Sequence, residues 1–130
     1  MSDLIRAATV LIIENDLILA VSRKDDLNDW GLCGGKVESN ETYGEAAVRE
    51  LKEETGLVAF ADDMVYTFER QDGNFIVRTF MVIRYTGKLS TDEEQVAKGE
   101  GRVKFVTKEE LMSGSFGKYN RSLLEYLGMV

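Results

Sequence analysis

Stretches of apolar residues divide the chain into strand-like segments that are separated by short polar turns. Apolar and β-branched residues at 5–13, followed by a turn signal at 14–16 and a second apolar run, predict two strands in succession. Asp72-Gly73 between two later runs predicts a β-hairpin, since this dipeptide favours the tight turns of hairpins. The predicted strands cover residues 5–13, 17–22, 64–70, 75–85 and 103–106.

The segment at residues 42–55 has the spacing of an amphipathic helix. Asn40 or Glu41 is expected to stand immediately before this helix, and Gly56 is expected to end it. The predicted core-facing stripe comprises Gly44, Ala47, Val48 and Leu51.

Two shorter helices are expected later in the sequence. Residues 107–110 have a capping-box pattern, and residues 120–127 form an amphipathic stretch. The polar segments 23–28 and 90–101 are predicted to be loops. Strands mixed with helices predict an α/β fold. Because no proline or linker-like stretch marks a boundary, we expect a single domain over residues 1–130.

The charge and the composition narrow the possible chemistry. A formal net charge of −7 argues against binding to nucleic acid or to anionic membranes. The absence of histidine excludes imidazole catalysis and imidazole metal sites. Cys33, the only cysteine, cannot form an intramolecular disulfide. Residues 1–16 resemble neither a signal peptide nor a membrane span, so a cytoplasmic location is predicted.

Three carboxylates fall on one face of the predicted helix at 42–55. Glu50, Glu53 and Glu54 are separated by one, three or four residues and repel one another. A hard divalent cation such as Mg²⁺ would remove that repulsion, because it prefers oxygen ligands. The alternative is a solvated acidic face paired with Arg49 and Lys52.

The sequence around these carboxylates resembles the signature of the Nudix hydrolase family. The family pattern is Gly-x5-Glu-x7-Arg-Glu-U-x-Glu-Glu-x-Gly-U, where U is apolar. The chain matches it at every fixed position, with Gly35, Glu41, Arg49, Glu50, Leu51, Glu53, Glu54, Gly56 and Leu57. The approach to the signature departs once, because Cys33 stands where many members carry proline, so a slightly less rigid turn is expected there. The resemblance implies an α/β/α sandwich with a mixed β-sheet, in which the signature forms a loop-helix-loop motif.

The resemblance also implies roles for individual residues. Glu53 and Glu54 would take the central metal and base roles, Glu50 would support them, and Arg49 would orient a catalytic glutamate. Mg²⁺ is the expected cofactor, with Mn²⁺ as a substitute. The Gly34 carbonyl is expected to join the metal shell, and Glu100 is a further candidate ligand, with Glu93 and Glu94 behind it. Gly35, Glu41 and Gly56 are expected to be structural; for Glu41 the alternative is a helix N-terminal acid.

The resemblance suggests a small nucleotide as substrate. Arg23 and Lys36 are candidates for phosphate contacts, and Asn120 resembles the asparagine with which MutT-type members bind a purine. The alternatives are surface positions for the two basic residues and a helix N-cap for Asn120. Core packing is expected for the aromatic residues that could stack on a base. These are Trp30, Phe75, Phe80 and Phe116.

The favoured hypothesis is a MutT-type hydrolase that cleaves a nucleoside triphosphate to a monophosphate and pyrophosphate. Hydrolysis of ADP-ribose, a dinucleoside polyphosphate or a nucleotide sugar stays open. A non-catalytic nucleotide-sensing module also stays open. Many family members dimerise, so a homodimer is a further possibility.

Overall fold

The computed structural model describes residues 3–130 and contains seven strands and four α-helices within that range. The strands are β1 (Ile5–Leu11), β2 (Ile13–Glu14), β3 (Leu17–Ser22), β4 (Trp30–Lys36), β5 (Met64–Asp72), β6 (Phe75–Val82) and β7 (Val103–Val106). The helices are α1 (Tyr43–Thr55), α2 (Asp92–Ala97), α3 (Lys108–Ser113) and α4 (Gly117–Tyr126).

The strands form one mixed sheet in the order β2-β3-β4-β1-β6-β5, with β7 also paired to β3. β1 lies inside the sheet, antiparallel to β4 and parallel to β6. Ala7 of β1 is therefore opposite both Lys36 and Val77. A parallel pair needs a long crossover connection, and here that connection includes α1. The predicted mixed sheet is confirmed.

Helices cover both faces of the sheet. Successive side chains of a strand point to opposite faces, and β1 uses both. Val10 packs in one core cluster with Leu51 of α1, whereas Leu11 packs in another with Leu111 of α3 and Leu124 of α4. All five side chains are buried, and burying a residue of this size stabilises the fold by roughly 1.5–3 kcal/mol. The predicted α/β/α sandwich is confirmed.

Helix α1 has a suitable capping residue at each end. Thr42 caps the N-terminus, and its hydroxyl accepts from the Glu45 amide while the Glu45 carboxylate accepts from the Thr42 amide. Gly56 adopts a left-handed conformation (φ 83°) at the C-terminus, as predicted. The expected cap at Asn40 or Glu41 is wrong, because Thr42 provides the hydroxyl that this capping box requires.

The core-facing stripe of α1 is shifted slightly from the prediction. Ala47 and Leu51 are buried, but Gly44 and Val48 are only half-buried. Ala46 and Thr55 are buried in their place. The acidic residues of the helix therefore lie beside the core contact.

The sequence missed two strands and one α-helix. One of the strands is β2, whose residues Ile13 and Glu14 were predicted as the end of the first strand and the beginning of a turn. β4 contains Gly31, Gly34 and Gly35, which indicated a turn, yet the segment lies between β3 and β1. Cys33 is thus a buried strand residue opposite Val10, and the less rigid turn expected there is wrong. α2 lies within residues 90–101, which were predicted to be a loop.

The hairpin of β5 and β6 is confirmed, with Gly73 at φ 59° in its turn. β6 ends at Val82 rather than at residue 85. The final helix begins at Gly117, three residues before the predicted start, so Asn120 lies inside α4 and is not an N-cap. Its side chain is buried.

Candidate functional site

Two clefts meet at Gly34 and Phe116. The first, called the apolar cleft, has a volume of about 260 Å³. Its walls include Leu32, Lys36, Phe75, Phe116, Tyr119 and Asn120. The second, called the carboxylate cleft, has a volume of about 220 Å³. Its walls include Arg23, Lys24, Gly34, Glu54, Glu100 and Phe116.

Arg49 holds the loop before α1 against the helix. Its Nε and Nη2 donate to both carboxylate oxygens of Glu41, at 2.7 and 2.9 Å. Nη1 donates to Glu50 at 2.8 Å and to Glu53 at 3.3 Å, and Nη2 also donates to the Lys36 carbonyl at 3.2 Å. Bidentate pairs of this kind fix geometry as well as charge. Glu45 lies one turn before Arg49 on α1, but its carboxylate accepts from the Thr42 amide in the N-terminal cap.

The Glu41 carboxylate is a structural link between Arg49 and the loop. It also accepts from the Glu38 amide at 3.0 Å. These hydrogen bonds, that of Arg49 first, lower the pKa of Glu41 to about 2. These partners link the loop to the helix, while the interaction with the helix dipole stays an alternative.

Replacing Glu41 with glutamine should destabilise the protein by about 1–2 kcal/mol at pH 7, because charge-assisted hydrogen bonds to Arg49 are lost. Since the pKa of Glu41 is lowered on folding, its contribution is present above pH 4.5 and declines as pH falls towards 2. Urea unfolding of wild type and Glu41→Gln at several pH values measures this difference. Glu125→Gln, which removes an exposed acid of α4, is the control. Equal stability of wild type and Glu41→Gln at pH 7 would contradict the structural role.

Glu54 is the acid that α1 projects into the carboxylate cleft. Its Oε1 accepts from the Gly34 amide at 2.7 Å. Burial raises the pKa of Glu54 to about 8, and the negative charges of Glu50 and Glu100 act in the same direction. A carboxyl group with a pKa near neutrality can accept or release a proton at physiological pH.

Glu50 lies beside Glu54 and fills space that Gly35 leaves open. A Cβ atom at Gly35 would lie 2.7 Å from Glu50 Oε1. Burial raises the pKa of Glu50, although its ion pair with Arg49 opposes this shift. A side chain at Gly35 would displace the Glu50 carboxylate, which gives the structural role predicted for Gly35 a steric basis.

Glu100 reaches the same cleft from the segment that follows α2. Its charge contributes to the raised pKa of both Glu50 and Glu54. Lys24 Nζ lies 3.9 Å from Glu100 Oε2. Glu93 and Glu94, the weaker candidates, lie in the first turn of α2, where Glu94 is part of a capping box with Thr91.

The acidic residues suit a hard divalent cation by their chemistry but are not assembled around one. Across residues 3–130, no group of three or more His, Cys, Asp or Glu side chains is close enough to form a metal site. The hydrogen bonds explain this arrangement, because Glu50 and Glu53 bind Arg49 while Glu54 binds the Gly34 amide. Glu53 is also exposed, and it does not line the cleft. Oxygen donors and mutual repulsion at Glu50, Glu54 and Glu100 still fit Mg²⁺ or Mn²⁺.

Asn120 and Lys36 lie on the other side of Gly34, in the apolar cleft. The Asn120 Nδ2 donates to the Leu111 carbonyl at 3.1 Å. This bond engages the amide nitrogen of the side chain. Lys36 is exposed.

Phe116 is the aromatic residue that both clefts share. Its side chain is 46% exposed, and its ring lies against Gly31, where a Cβ atom would come within 2.9 Å of Cδ2. The expected core packing is therefore wrong for Phe116, whereas Trp30 and Phe80 are buried. Phe75 is half-buried and lines the apolar cleft.

Arg23 occupies the entrance of the carboxylate cleft. Its guanidinium donates to both oxygens of Asp25, at 2.9 and 3.0 Å, and Nη1 lies 3.4 Å from Ser115 Oγ. Ser115 is also bound to Asp29. This network, which the sequence did not indicate, connects the loop after β3 to the segment that carries Phe116.

Comparison with known proteins identifies the class to which this fold and site belong. The NUDIX domain model matches residues 3–127, so the chain belongs to the Nudix family. It is 34% identical over 90 residues to the CTP pyrophosphohydrolase of Escherichia coli, covering 65% of this chain and 67% of that protein. It is 36% identical over 90 residues to an ADP-ribose pyrophosphatase of Methanocaldococcus jannaschii, covering 64% and 53%.

The fold is similar to that of a solved family member. The crystal structure of a MutT NUDIX hydrolase from Burkholderia pseudomallei superimposes with a TM-score of 0.74 at 20% identity, covering 97% of this chain and 99% of that chain. The chain spans between 42% and 67% of the length of the first curated relatives that it matches. Members of the family act on small nucleotides and generally use divalent metal ions. Within residues 3–130, no helix has the length and apolar character needed to cross a membrane.

Proposed function

We propose that this protein hydrolyses the phosphoanhydride bond of a small nucleotide, with a nucleoside triphosphate as the favoured substrate. The products would be a nucleoside monophosphate and pyrophosphate. The observation that carries the proposal is the meeting of an apolar cleft and a carboxylate cleft at Gly34 and Phe116. A nucleotide has the same two parts, a flat base and a charged phosphate chain, within one molecule.

The apolar cleft suits the base. Its walls offer aromatic surface from Phe75 and Phe116, and base–aromatic stacking contributes about 1–3 kcal/mol per base. The Asn120 Oδ1 can accept a hydrogen bond from an amino or imino group of a base, because Nδ2 is already bound to Leu111. Lys36, at the rim, can meet negative charge.

The carboxylate cleft suits the phosphates and a cation. Glu50, Glu54 and Glu100 would hold Mg²⁺, with Mn²⁺ as a substitute, and the exposed Glu53 would join after leaving Arg49. The Gly34 carbonyl stays a proposed ligand. The cation would neutralise phosphate charge and polarise the phosphoryl oxygens. Arg23 and Lys24 supply positive charge at the same cleft.

The residues of the chain have distinct tasks in the proposed hydrolysis. Glu54 is the favoured group to take a proton from the attacking water, because its carboxylate lies in the cleft. Burial raises its pKa to about 8 in the metal-free protein, and a bound cation would favour its ionised form. Arg49 holds Glu50 in place and so orients one of the proposed metal ligands. Such catalysis depends on position and charge compensation more than on a covalent nucleophile.

The relatives named above differ in substrate, so other nucleotides remain alternatives. ADP-ribose, dinucleoside polyphosphates and nucleotide sugars also combine a base with a diphosphate. A nucleotide-sensing module is the alternative without catalysis. The complete family signature favours the enzyme. The single domain, cytoplasmic location and homodimer stay predictions.

A hydrolysis panel with Mg²⁺ or with EDTA tests the proposal. The panel contains ordinary and oxidised nucleoside triphosphates, ADP-ribose, dinucleoside polyphosphates and nucleotide sugars. We expect metal-dependent release of pyrophosphate from triphosphates. Preference for another compound would change the assigned substrate but not the proposed metal-dependent hydrolysis. Tight binding without turnover of any compound would favour the sensing module.

Replacing Phe116 with alanine should raise KM about tenfold and change kcat much less, because it removes stacking surface rather than a reacting group. Steady-state kinetics on the best triphosphate measures both constants. Phe60→Ala is the matched control, since Phe60 is 69% exposed and lines neither cleft. An unchanged KM in Phe116→Ala would remove this residue from the substrate site.

A further inference from the structure

The C-terminal end of α1 is bound by residues from the segment 90–98. A helix leaves its last four carbonyls without partners inside the helix. Here the Lys52 carbonyl accepts from the Gly56 amide, within the cap itself. Donors from the later segment satisfy the other three carbonyls. They are Lys98 Nζ on Glu53 at 3.0 Å, Gln95 Nε2 on Glu54 at 2.6 Å, and the Ser90 amide on Thr55 at 2.8 Å.

Gln95 differs from the other two donors because it connects both acidic segments of the carboxylate cleft. Its side chain is fully buried and donates to the main chain of Glu54. The main-chain carbonyl of Gln95 accepts from the Glu100 amide at 2.8 Å. One residue thus fixes the backbone on both sides of the Glu54 and Glu100 carboxylates.

The residues that follow Glu100 are also held in place, because they pack closely against β3. Gly101 lies so near β3 that a Cβ atom there would fall 2.1 Å from the Ser22 carbonyl oxygen. Ser22 Oγ in turn accepts from the Arg102 amide at 2.8 Å. The Glu100 segment is therefore held against β3, so losing the bond from the Gln95 side chain would change the position of Glu54 relative to Glu100.

We propose that Gln95 is a positioning residue that fixes the spacing between Glu54 and Glu100 and thereby determines the affinity of the cleft for a divalent cation. This inference rests on the proposed function, since it assumes that these carboxylates bind the cation. Gln95 acts through the two glutamates and does not contact the cation. Residues that orient metal ligands typically change metal affinity by about 10- to 100-fold when they are replaced.

Mn²⁺ binding to the free protein tests the inference without any substrate or turnover. Gln95→Met keeps the length of the side chain but removes its donor. We expect electron paramagnetic resonance titration with MnCl₂ to show an affinity about tenfold weaker than that of the wild type. Lys98→Met is the control, because it removes the donor of the neighbouring Glu53 carbonyl and a longer bond of 3.5 Å to Gln95 Oε1 but leaves the bond from Gln95 to the Glu54 carbonyl in place. Its Mn²⁺ affinity should be unchanged.

A second comparison separates positioning from general support of the helix end. In a Glu100→Gln background, Gln95→Met should change Mn²⁺ affinity less than about twofold, because the residue that Gln95 positions no longer carries its charge. Thermal unfolding without metal records any stability change separately. Gln95→Asn provides the same test if Gln95→Met does not fold, since its shorter side chain keeps a polar amide but cannot reach the Glu54 carbonyl.

Three results would overturn the inference. They are wild-type Mn²⁺ affinity in the Gln95 variant, an equal loss in Lys98→Met, and a full tenfold effect of the Gln95 change in the Glu100→Gln background. In each of these, the wild type still binds Mn²⁺ and the proposed function is untouched. A wild-type protein without Mn²⁺ binding would contradict both proposals together.

Discussion

Replacing Glu54 with glutamine should reduce kcat by about 10³- to 10⁴-fold while leaving the fold intact. Glutamine keeps an oxygen that can accept from the Gly34 amide but cannot take up a proton from water. The expected loss is therefore in the reaction itself and not in the shape of the cleft. Initial rates with saturating triphosphate and Mg²⁺ measure it. Glu109→Gln, which neutralises an exposed acid of α3, should retain wild-type activity.

Stability distinguishes this loss of activity from unfolding. Because the Glu54 carboxylate is buried and next to like charges, Glu54→Gln should be at least as stable as the wild type at pH 8 without metal. An inactive variant that is as stable as the wild type or more so would support the catalytic role. Undiminished activity in Glu54→Gln would refute that role.

The stability of the metal-free protein should fall as pH rises from about 5 to about 8. Folding raises the pKa of Glu54 from 4.5 to about 8, so in this range the native state holds a proton that the unfolded state has released. Stability declines with pH under that condition, and the full loss is present above pH 8. The size of the effect is roughly 2–4 kcal/mol. Glu50, whose pKa is also raised, contributes in the same direction.

The composition makes this measurement unusually clear. The chain has no histidine, which is the side chain that ordinarily titrates between pH 5 and 8. Urea unfolding in EDTA at half-unit steps of pH gives the stability curve, and Glu54→Gln should flatten most of it. Excess Mg²⁺ should restore stability most strongly at pH 8. A wild-type curve that matches that of Glu54→Gln would show that Glu54 ionises normally.

Sequence patterns predicted the strands and turns whose local residue preferences match the environment that these residues have in the fold. The strand and turn signals before Ser22 and the Asp72-Gly73 hairpin are examples. β4 was missed because its glycines indicate flexibility when they are considered alone. In the fold they allow close approach, since a Cβ atom at Gly34 would lie 2.2 Å from the Ala8 carbonyl. The need for glycine at this position becomes apparent only once the neighbouring strand β1 is in place.

The same distinction holds at the candidate site. Helical spacing places Arg49 one turn from both Glu45 and Glu53, and only Glu53 binds it. The same spacing could not indicate the partner Glu41, which precedes the helix. Asn120 was placed at the start of a helix because asparagine often caps one, yet α4 begins earlier without a side-chain cap. α2 was missed because its acidic residues indicate a solvated loop. Nothing in the neighbouring sequence indicates that Gln95 is the buried residue of α2.

The parallel pairing of β1 and β6 also has a consequence for synthesis of the chain. β1 emerges early, but the partner on one of its sides begins only at Phe75. Until then, one edge of β1 presents unpaired backbone N–H and C=O groups, with which another strand could pair. Pairing between segments so distant in sequence also slows folding. The ribosome-bound chain should therefore become resistant to proteases only after Val82 has left the exit tunnel.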